Sequence, residues 1–144
     1  MHEYGVNFCC IDANPERRKA MEFAQRFWGR VKLVFYGIGI NSKSISVHSD
    51  EEHTITVDRT SWLDLSLARF RTERISLPLD TDLEYRKQIK SLVRIYAKDQ
   101  QGNPVGKYVC GNEEDHYAHA RNYSEIALTM AAGQSQHSNI RVPL

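Results

Sequence analysis

The spacing of apolar and polar residues in the first part of the chain predicts a strand, an amphipathic helix and a second strand. An apolar run over residues 6–11 is followed by Asn14 and Pro15, which are typical of a helix N-cap and a first helical position. Apolar residues then recur at helical spacing up to about Trp28, and a second apolar run covers residues 31–36. This order predicts a βαβ unit with parallel strands.

Two hairpins are predicted further along the chain. Apolar and polar residues alternate over 45–48 and 54–57, so the first hairpin is expected to have one face in contact with water. The second hairpin is predicted from apolar runs over 93–98 and 105–109, which flank a turn-rich loop.

Three more helices are predicted. One starts near Ser61, one over residues 81–90 opens with a capping-box pattern at Thr81, and one over residues 113–130 is capped by Asn112.

These elements together predict one α/β domain. We expect it to span residues 1–132, with the polar, unpatterned residues 133–144 forming a flexible tail.

Composition is ordinary for a water-exposed globular domain of 144 residues, with 41% apolar and 26% charged residues. No apolar run is long enough to cross a bilayer and no signal peptide is evident, so we expect a cytoplasmic protein. The three cysteines form no metal or redox motif and are expected to be reduced and structural. A net charge of +1 means that any binding to nucleic acid must come from a local basic patch.

Basic residues cluster at two places that could neutralise phosphates without base specificity, although solvated faces explain them equally well. The clusters are Arg69, Arg71 and Arg74 at the end of one predicted helix, and Arg86, Lys87, Lys90 and Arg94 along the next.

Asp12 is the first candidate for chemistry because it ends a predicted parallel strand. A carboxylate there projects into the crevice in which α/β sheets bind ligands. The alternative is that Asp12, together with Asn14, only helps to cap the following helix. Position alone leaves both interpretations open.

A second candidate cluster lies at the start of the last predicted helix. Helical spacing puts His119 one turn after both Asp115 and His116, so all three could face the same neighbour. Hard divalent cations prefer carboxylate oxygens, and imidazole is acceptable to the softer ones. The alternative is that the acidic residues complement the helix dipole and the histidines are surface residues.

The order and spacing of several segments over residues 8–128 resemble the C-terminal nuclease domain of phage terminase large subunits. These segments are Cys10-Ile11-Asp12-Ala13-Asn14-Pro15-Glu16, the helix to Phe27-Trp28, Val57-Asp58-Arg59-Thr60 and Gly111-Asn112-Glu113-Glu114-Asp115-His116, followed by His119, Ala120 and Tyr123.

The resemblance implies an RNase H-like mixed sheet flanked by helices. It also implies a metal-dependent endonuclease that cleaves double-stranded DNA by two-metal phosphodiester hydrolysis. In this family, acidic residues from separate elements hold Mg²⁺ or Mn²⁺. Asp12 matches the second acidic position and Asp115 the third, with His116 beside it as a further metal ligand. His119 stands where many relatives have another acidic residue, a departure from the family pattern, and it is expected among the metal ligands.

The chain departs from the family pattern before Asp12, where Glu3 is the sole carboxylate. We therefore expect a fragment or a degraded prophage copy that lacks the opening strands and the first catalytic acid. In two-metal hydrolysis the ions sit roughly 4 Å apart, and a shared carboxylate holds them there against their repulsion. The chain alone is accordingly expected to have little or no nuclease activity. The missing strands should also leave a sheet edge open to self-association.

The expected partner is double-stranded DNA in the cytoplasm of a bacterial host. In a full-length terminase an ATPase domain, the portal and the small terminase subunit would join it; no membrane partner is expected. An alternative interpretation is a catalytically dead DNA- or protein-binding module of prophage origin. A third is an unrelated α/β protein in which both aspartates are only helix caps.

Overall fold

The structure is a computed structural model that describes residues 1, 3–37, 45–49, 52–111 and 114–137. Within these residues the chain is an α/β protein with six strands and four helices, so the coarse fold class is confirmed. It divides into two compact units, the first comprising Met1–Asp58 and Tyr123–Leu144 and the second Arg59–Asn122.

The first unit is built on a four-stranded mixed sheet. Its elements are β1 (Cys9–Asp12), α1 (Arg17–Arg26), β2 (Val31–Gly37), β3 (Ser46–Ser49) and β4 (Thr54–Asp58). The strand order is β1-β2-β4-β3, with β1, β2 and β4 mutually parallel and β3 antiparallel to β4. The predicted βαβ unit is therefore confirmed.

The core of this unit lies where α1 packs on the sheet. Val31, Leu33, Ala13 and Ala24 are fully buried there, and Phe27 packs against them. Val31, Leu33 and Val34 are all buried, so both faces of strand β2 are covered, which explains why it reads as an almost continuous apolar run.

Helix α1 begins and ends at different residues from those predicted. Asn14 is not the N-cap. Its backbone N donates to Asp12 Oδ1 at 2.9 Å in a tight turn, and the peptide bond between Asn14 and Pro15 is cis. The helix starts at Arg17, because this turn uses the residues expected to begin it. It ends at Arg26, two residues before Trp28.

The first hairpin is confirmed as antiparallel, but the expected wet face is not found. Ile55 and Val57 are buried as predicted, but Thr54 is buried too and Val47 is 55% exposed. The reason is the register: Val47 pairs with Thr56 and His48 with Ile55, so the apolar residues of the two strands lie on opposite faces.

The second unit packs helices on a two-stranded antiparallel sheet. Its elements are α2 (Arg59–Arg71), α3 (Leu83–Ser91), β5 (Leu92–Lys98), β6 (Pro104–Cys110) and the start of α4 (His116–His137). Leu63, Leu67, Leu92, Tyr108 and Ala118 form its buried core, with Phe70 and Ile89 packed against it. The predicted second hairpin is confirmed.

Helix α3 is capped one residue later than the capping-box pattern indicates. The Asp82 carboxylate accepts from Glu84 N at 2.7 Å, while the Thr81 hydroxyl donates to the Pro78 carbonyl at 2.6 Å. Asp82 is therefore the cap, because Thr81 is occupied by the preceding turn.

Helix α4 is displaced toward the C-terminus from its predicted range. It starts at His116 and runs to His137, so residues 133–137 of the expected tail are helical. Asn112 lies outside the described residues, as do residues 138–144. Across the described chain, none of the helices combines the length and apolar character that a membrane span requires.

Candidate functional site

Asp12 is presented at the carboxyl end of β1 with its side chain exposed. Both carboxylate oxygens are held by the protein: Oδ1 accepts from Asn14 N at 2.9 Å, and Oδ2 accepts from the Tyr123 hydroxyl at 2.8 Å. Each carboxylate oxygen has two lone pairs, so these bonds fix the side chain and leave acceptor capacity. Asp12 is therefore a fixed acceptor that solvent can reach.

Tyr123 is the residue that sequence reasoning left without a role. Its ring is buried in α4 and stacks on Tyr36 with centroids 5.6 Å apart. Burial raises the pKa of Tyr123, and the neighbouring Tyr36 and Asp12 add to the effect. The phenol is therefore neutral and donates to Asp12. The sequence motif that follows Asp115 includes Tyr123, but it carries no signal for the contact with Asp12.

Asp58 ends the parallel strand β4 but is too far away to share a ligand with Asp12. Asp12 pairs with Val34 and Asp58 pairs with Gly37, so Asp58 lies three residues further along β2. With two strand spacings across the sheet, the two Cα atoms are about 14 Å apart.

Asp115 and His119 are brought together in the second unit. Asp115 Oδ2 lies 3.2 Å from His119 Nε2, and the Asp115 carbonyl accepts from His119 N in the first turn of α4. The predicted i, i+4 relationship is thus confirmed. Both side chains are largely shielded from solvent, at 24% and 17% exposure.

Arg59 is the third member of this cluster and was not anticipated as one. Its Nη2 lies 3.2 Å from His119 Nε2 and 3.8 Å from Asp115 Oδ2, while Nη1 donates to the Tyr108 carbonyl at 2.9 Å. Helix α2 begins at Arg59, which fixes the base of this side chain.

The tautomer of His119 decides which hydrogen bond forms within the cluster. Neutral imidazole carries one proton, so Nε2 either accepts from Arg59 or donates to Asp115. In the first case Arg59 donates a hydrogen bond to His119. In the second case Arg59 forms an ion pair with the Asp115 carboxylate instead.

His116 does not join the pair. Its Nε2 lies 3.8 Å from Glu114 Oε2, and its side chain is 80% exposed. The structure therefore brings together two of the three predicted ligands from this part of the chain, and directs the third toward solvent.

A divalent cation that binds at Asp115 has to compete with the Arg59 guanidinium. A carboxylate and an imidazole are suitable ligands for Mn²⁺, but the Arg59 guanidinium occupies the space beside both and would repel the ion. Within the described residues, His, Cys, Asp and Glu side chains form no group of three or more able to hold a metal. Asp12, in contrast, is held by Asn14 N and by the neutral Tyr123 hydroxyl, and its carboxylate is a suitable cation ligand.

The basic clusters are only partly available as phosphate-binding surfaces. Arg94 belongs to β5 rather than to the preceding helix, and its Nε lies 3.1 Å from Asp64 Oδ1. Asp64 also accepts from the Tyr108 hydroxyl at 2.7 Å. Arg94 is thus an exposed residue of β5 that pairs with Asp64, and it does not continue the row of basic residues on α3.

The three cysteines are free in the structure. Burial raises the pKa of Cys10 to about 12, so its thiol is a poor nucleophile.

No protein-family model, curated protein sequence or solved structure matched this chain.

Proposed function

We propose that the chain is part of the metal-dependent endonuclease domain of a phage DNA-packaging terminase, with an RNase H-like fold. The observation that carries the proposal is the Asp12 carboxylate, exposed at the carboxyl end of a parallel strand and held by Asn14 and Tyr123. Family resemblance supplies the substrate, double-stranded DNA, and the reaction, phosphodiester hydrolysis.

In this proposal Asp12 and Asp115 are ligands of Mg²⁺ or Mn²⁺. Bound metal supplies Lewis-acid stabilisation of the oxygens that attack and leave phosphorus. Tyr123 orients Asp12 by donating to Oδ2, and His119 lies against Asp115. Arg59 neutralises Asp115 until a cation displaces it. Two of the family's three acidic positions are then filled, so weak metal binding and little cleavage are expected of the chain by itself.

Plasmid cleavage in Mn²⁺ tests the activity. The expected result is a trace of nicking that Asp12→Ala and Asp115→Ala both remove and that Asp80→Ala, a change at an exposed aspartate, leaves intact. Robust cutting abolished by Asp12→Ala would show that the chain holds a complete set of acids. Cleavage indifferent to both substitutions would contradict the proposed roles.

A second candidate function is a catalytically inactive DNA- or protein-binding module of the same descent. The observation in its favour is Arg59, which occupies the position beside Asp115 and His119 where a cation would bind. Calorimetric titration with Mn²⁺ separates the two candidates. Metal binding lost in Asp115→Ala supports the nuclease, whereas salt-sensitive DNA binding without metal supports the module.

A further inference from the structure

A pocket of about 380 Å³ lies in the second unit between the end of α2, the following connector and α3. It is lined by Phe70, Leu77, Leu79, Arg86, Ile89 and Lys90. Phe70 and Ile89 also pack against the buried core, so one wall of the pocket is continuous with a rigid part of the unit. Its size is within the range of ligand-binding pockets in proteins.

Arg86 builds the opposite wall. Its Nη2 donates to the carbonyls of Leu79 at 3.0 Å and Pro78 at 3.3 Å, which ties the connector to α3. The Nε of the same guanidinium is buried and has no hydrogen-bond partner in the described structure. Arg86 therefore brings a positive charge to this wall of the pocket.

The rim of the pocket exposes apolar side chains to water. Leu79 is 100% exposed and Leu77 is 37% exposed, although both line the pocket. An exposed apolar surface rimmed by polar residues is typical of a site that a partner covers.

We propose that this pocket docks an acidic, amphipathic segment of a partner protein. A leucine-like side chain of that segment enters between Phe70, Leu79 and Ile89. A neighbouring carboxylate of the segment pairs with Lys90 and faces the Arg86 guanidinium. Charge complementarity selects this occupant, because the two charged residues of the lining are both cationic. Duplex DNA is disfavoured, since phosphates would leave the apolar lining uncovered. The inference is independent of metal binding and of the nuclease proposal.

The experiment measures fluorescence anisotropy of a labelled helical peptide that has leucines on one face and glutamates on the other. The same peptide with glutamine for glutamate, and a labelled DNA duplex, serve as comparison probes. We expect the full-length chain to bind the acidic peptide without metal, to bind the glutamine peptide at least about fivefold more weakly, and to prefer the acidic peptide to DNA.

Matched variants locate the binding. Leu79→Ser and Lys90→Glu should each weaken binding by about fivefold or more, as expected for an apolar anchor and a charge pair in a small interface. Their controls are Leu83→Ser and Lys87→Glu, which make the same changes at exposed positions outside the lining and should alter affinity less than twofold. Because Leu79 is fully exposed, its replacement should leave folding intact.

Three results would overturn the proposal. In the first, the acidic peptide does not bind. In the second, a test variant and its control lose the same affinity for the peptide. In the third, the chain prefers DNA to the peptide, and Lys90→Glu abolishes the DNA binding. The last would assign the surface to nucleic acid.

Discussion

At the scale of single residues, the molecule fixes an exposed carboxylate with a buried phenol. Tyr123 donates to Asp12 across 111 positions of the chain, and its ring is held by stacking on Tyr36. A side chain that is held on both oxygens loses less freedom when it binds a ligand, because its rotamer is already selected. This arrangement makes Tyr123 a positioning residue for Asp12.

Replacing Tyr123 by phenylalanine tests this role through stability. The ring keeps its packing but loses the hydroxyl that donates to Asp12 Oδ2, so the free energy of unfolding should fall by about 1 kcal/mol. Urea denaturation measures the change. Tyr4→Phe is the control, since Tyr4 is 80% exposed. A loss no larger than that of the control would show that the hydrogen bond contributes nothing.

Arg59 is a second residue whose removal has a defined expected effect. Its guanidinium lies beside Asp115 and His119, so an ion that binds there must first displace a positive charge. Arg59→Gln should therefore tighten Mn²⁺ binding by about fivefold, or about 1 kcal/mol for a partly screened charge. Isothermal titration calorimetry measures it. Arg18→Gln, at a well-exposed arginine of α1, should have no effect. Weaker binding in Arg59→Gln would mean that the arginine supports the metal-binding conformation.

Residue-scale prediction from the sequence succeeded where the signal was local. The pairing of Asp115 with His119 follows from helical spacing, and the exposure of Asp12 follows from its place at a strand end. Tyr123 and Arg59 were missed because their contacts join distant segments, and one sequence contains no signal for such contacts. The prediction that His116 joins Asp115 and His119 was wrong. Helical spacing permits a shared face, but it does not decide where a solvated side chain points.

At the scale of elements, a loop held by one aspartate closes the second hairpin. Asp99 Oδ1 accepts from the backbone N of Gln101 at 2.9 Å and of Asn103 at 2.8 Å, which fixes the turn between β5 and β6. These hydrogen bonds, that of Asn103 first, lower the pKa of Asp99. The loop therefore depends on the ionised carboxylate.

Asp99→Ala should destabilise this hairpin, with faster amide hydrogen exchange in β5 and β6. The pH dependence has a definite sign. Because folding lowers the pKa of Asp99, its stabilisation is present above the ordinary aspartate value of about 3.9 and is lost as pH falls through the lower folded value. Wild type and variant should thus converge in acid. Asp80→Ala is the control, and equal protection at neutral pH in Asp99→Ala would refute the role of the loop.

The presence of each helix and strand was predicted better than the residues at which it begins and ends, and better than the burial of its side chains. All six strands and four helices of the described chain follow from period and turn signals, yet α1 starts late because Asp12 and Asn14 form a turn of their own. Helix α3 shifts its cap for a similar reason. The exposure pattern of the first hairpin could not be predicted, since it depends on the register between its two strands.

At the scale of the whole molecule, strand order in the first unit is what the βαβ pattern could not specify. Parallel pairing of β1 with β2 was expected, but the place of β4 beside β2, with β3 at the edge, is set by long-range packing. The division into two compact units likewise has no marker in the sequence, because no linker composition separates Asp58 from Arg59. The sequence therefore predicts the class of fold more securely than its topology.

Whether Asp12 and Asp115 act on one ion is a thermodynamic question about the whole molecule. Mn²⁺ at ten times its dissociation constant should raise the free energy of unfolding by about 1.4 kcal/mol. If the ion uses both acids, Asp12→Ala and Asp115→Ala should each remove most of this gain, and the double variant should lose no more than either single one. Chelation by EDTA should return the wild type to its metal-free stability, and Asp80→Ala should respond to Mn²⁺ as the wild type does. Additive losses would mean two separate sites and would remove the basis for a two-acid metal centre, since residues that share a ligand must be coupled.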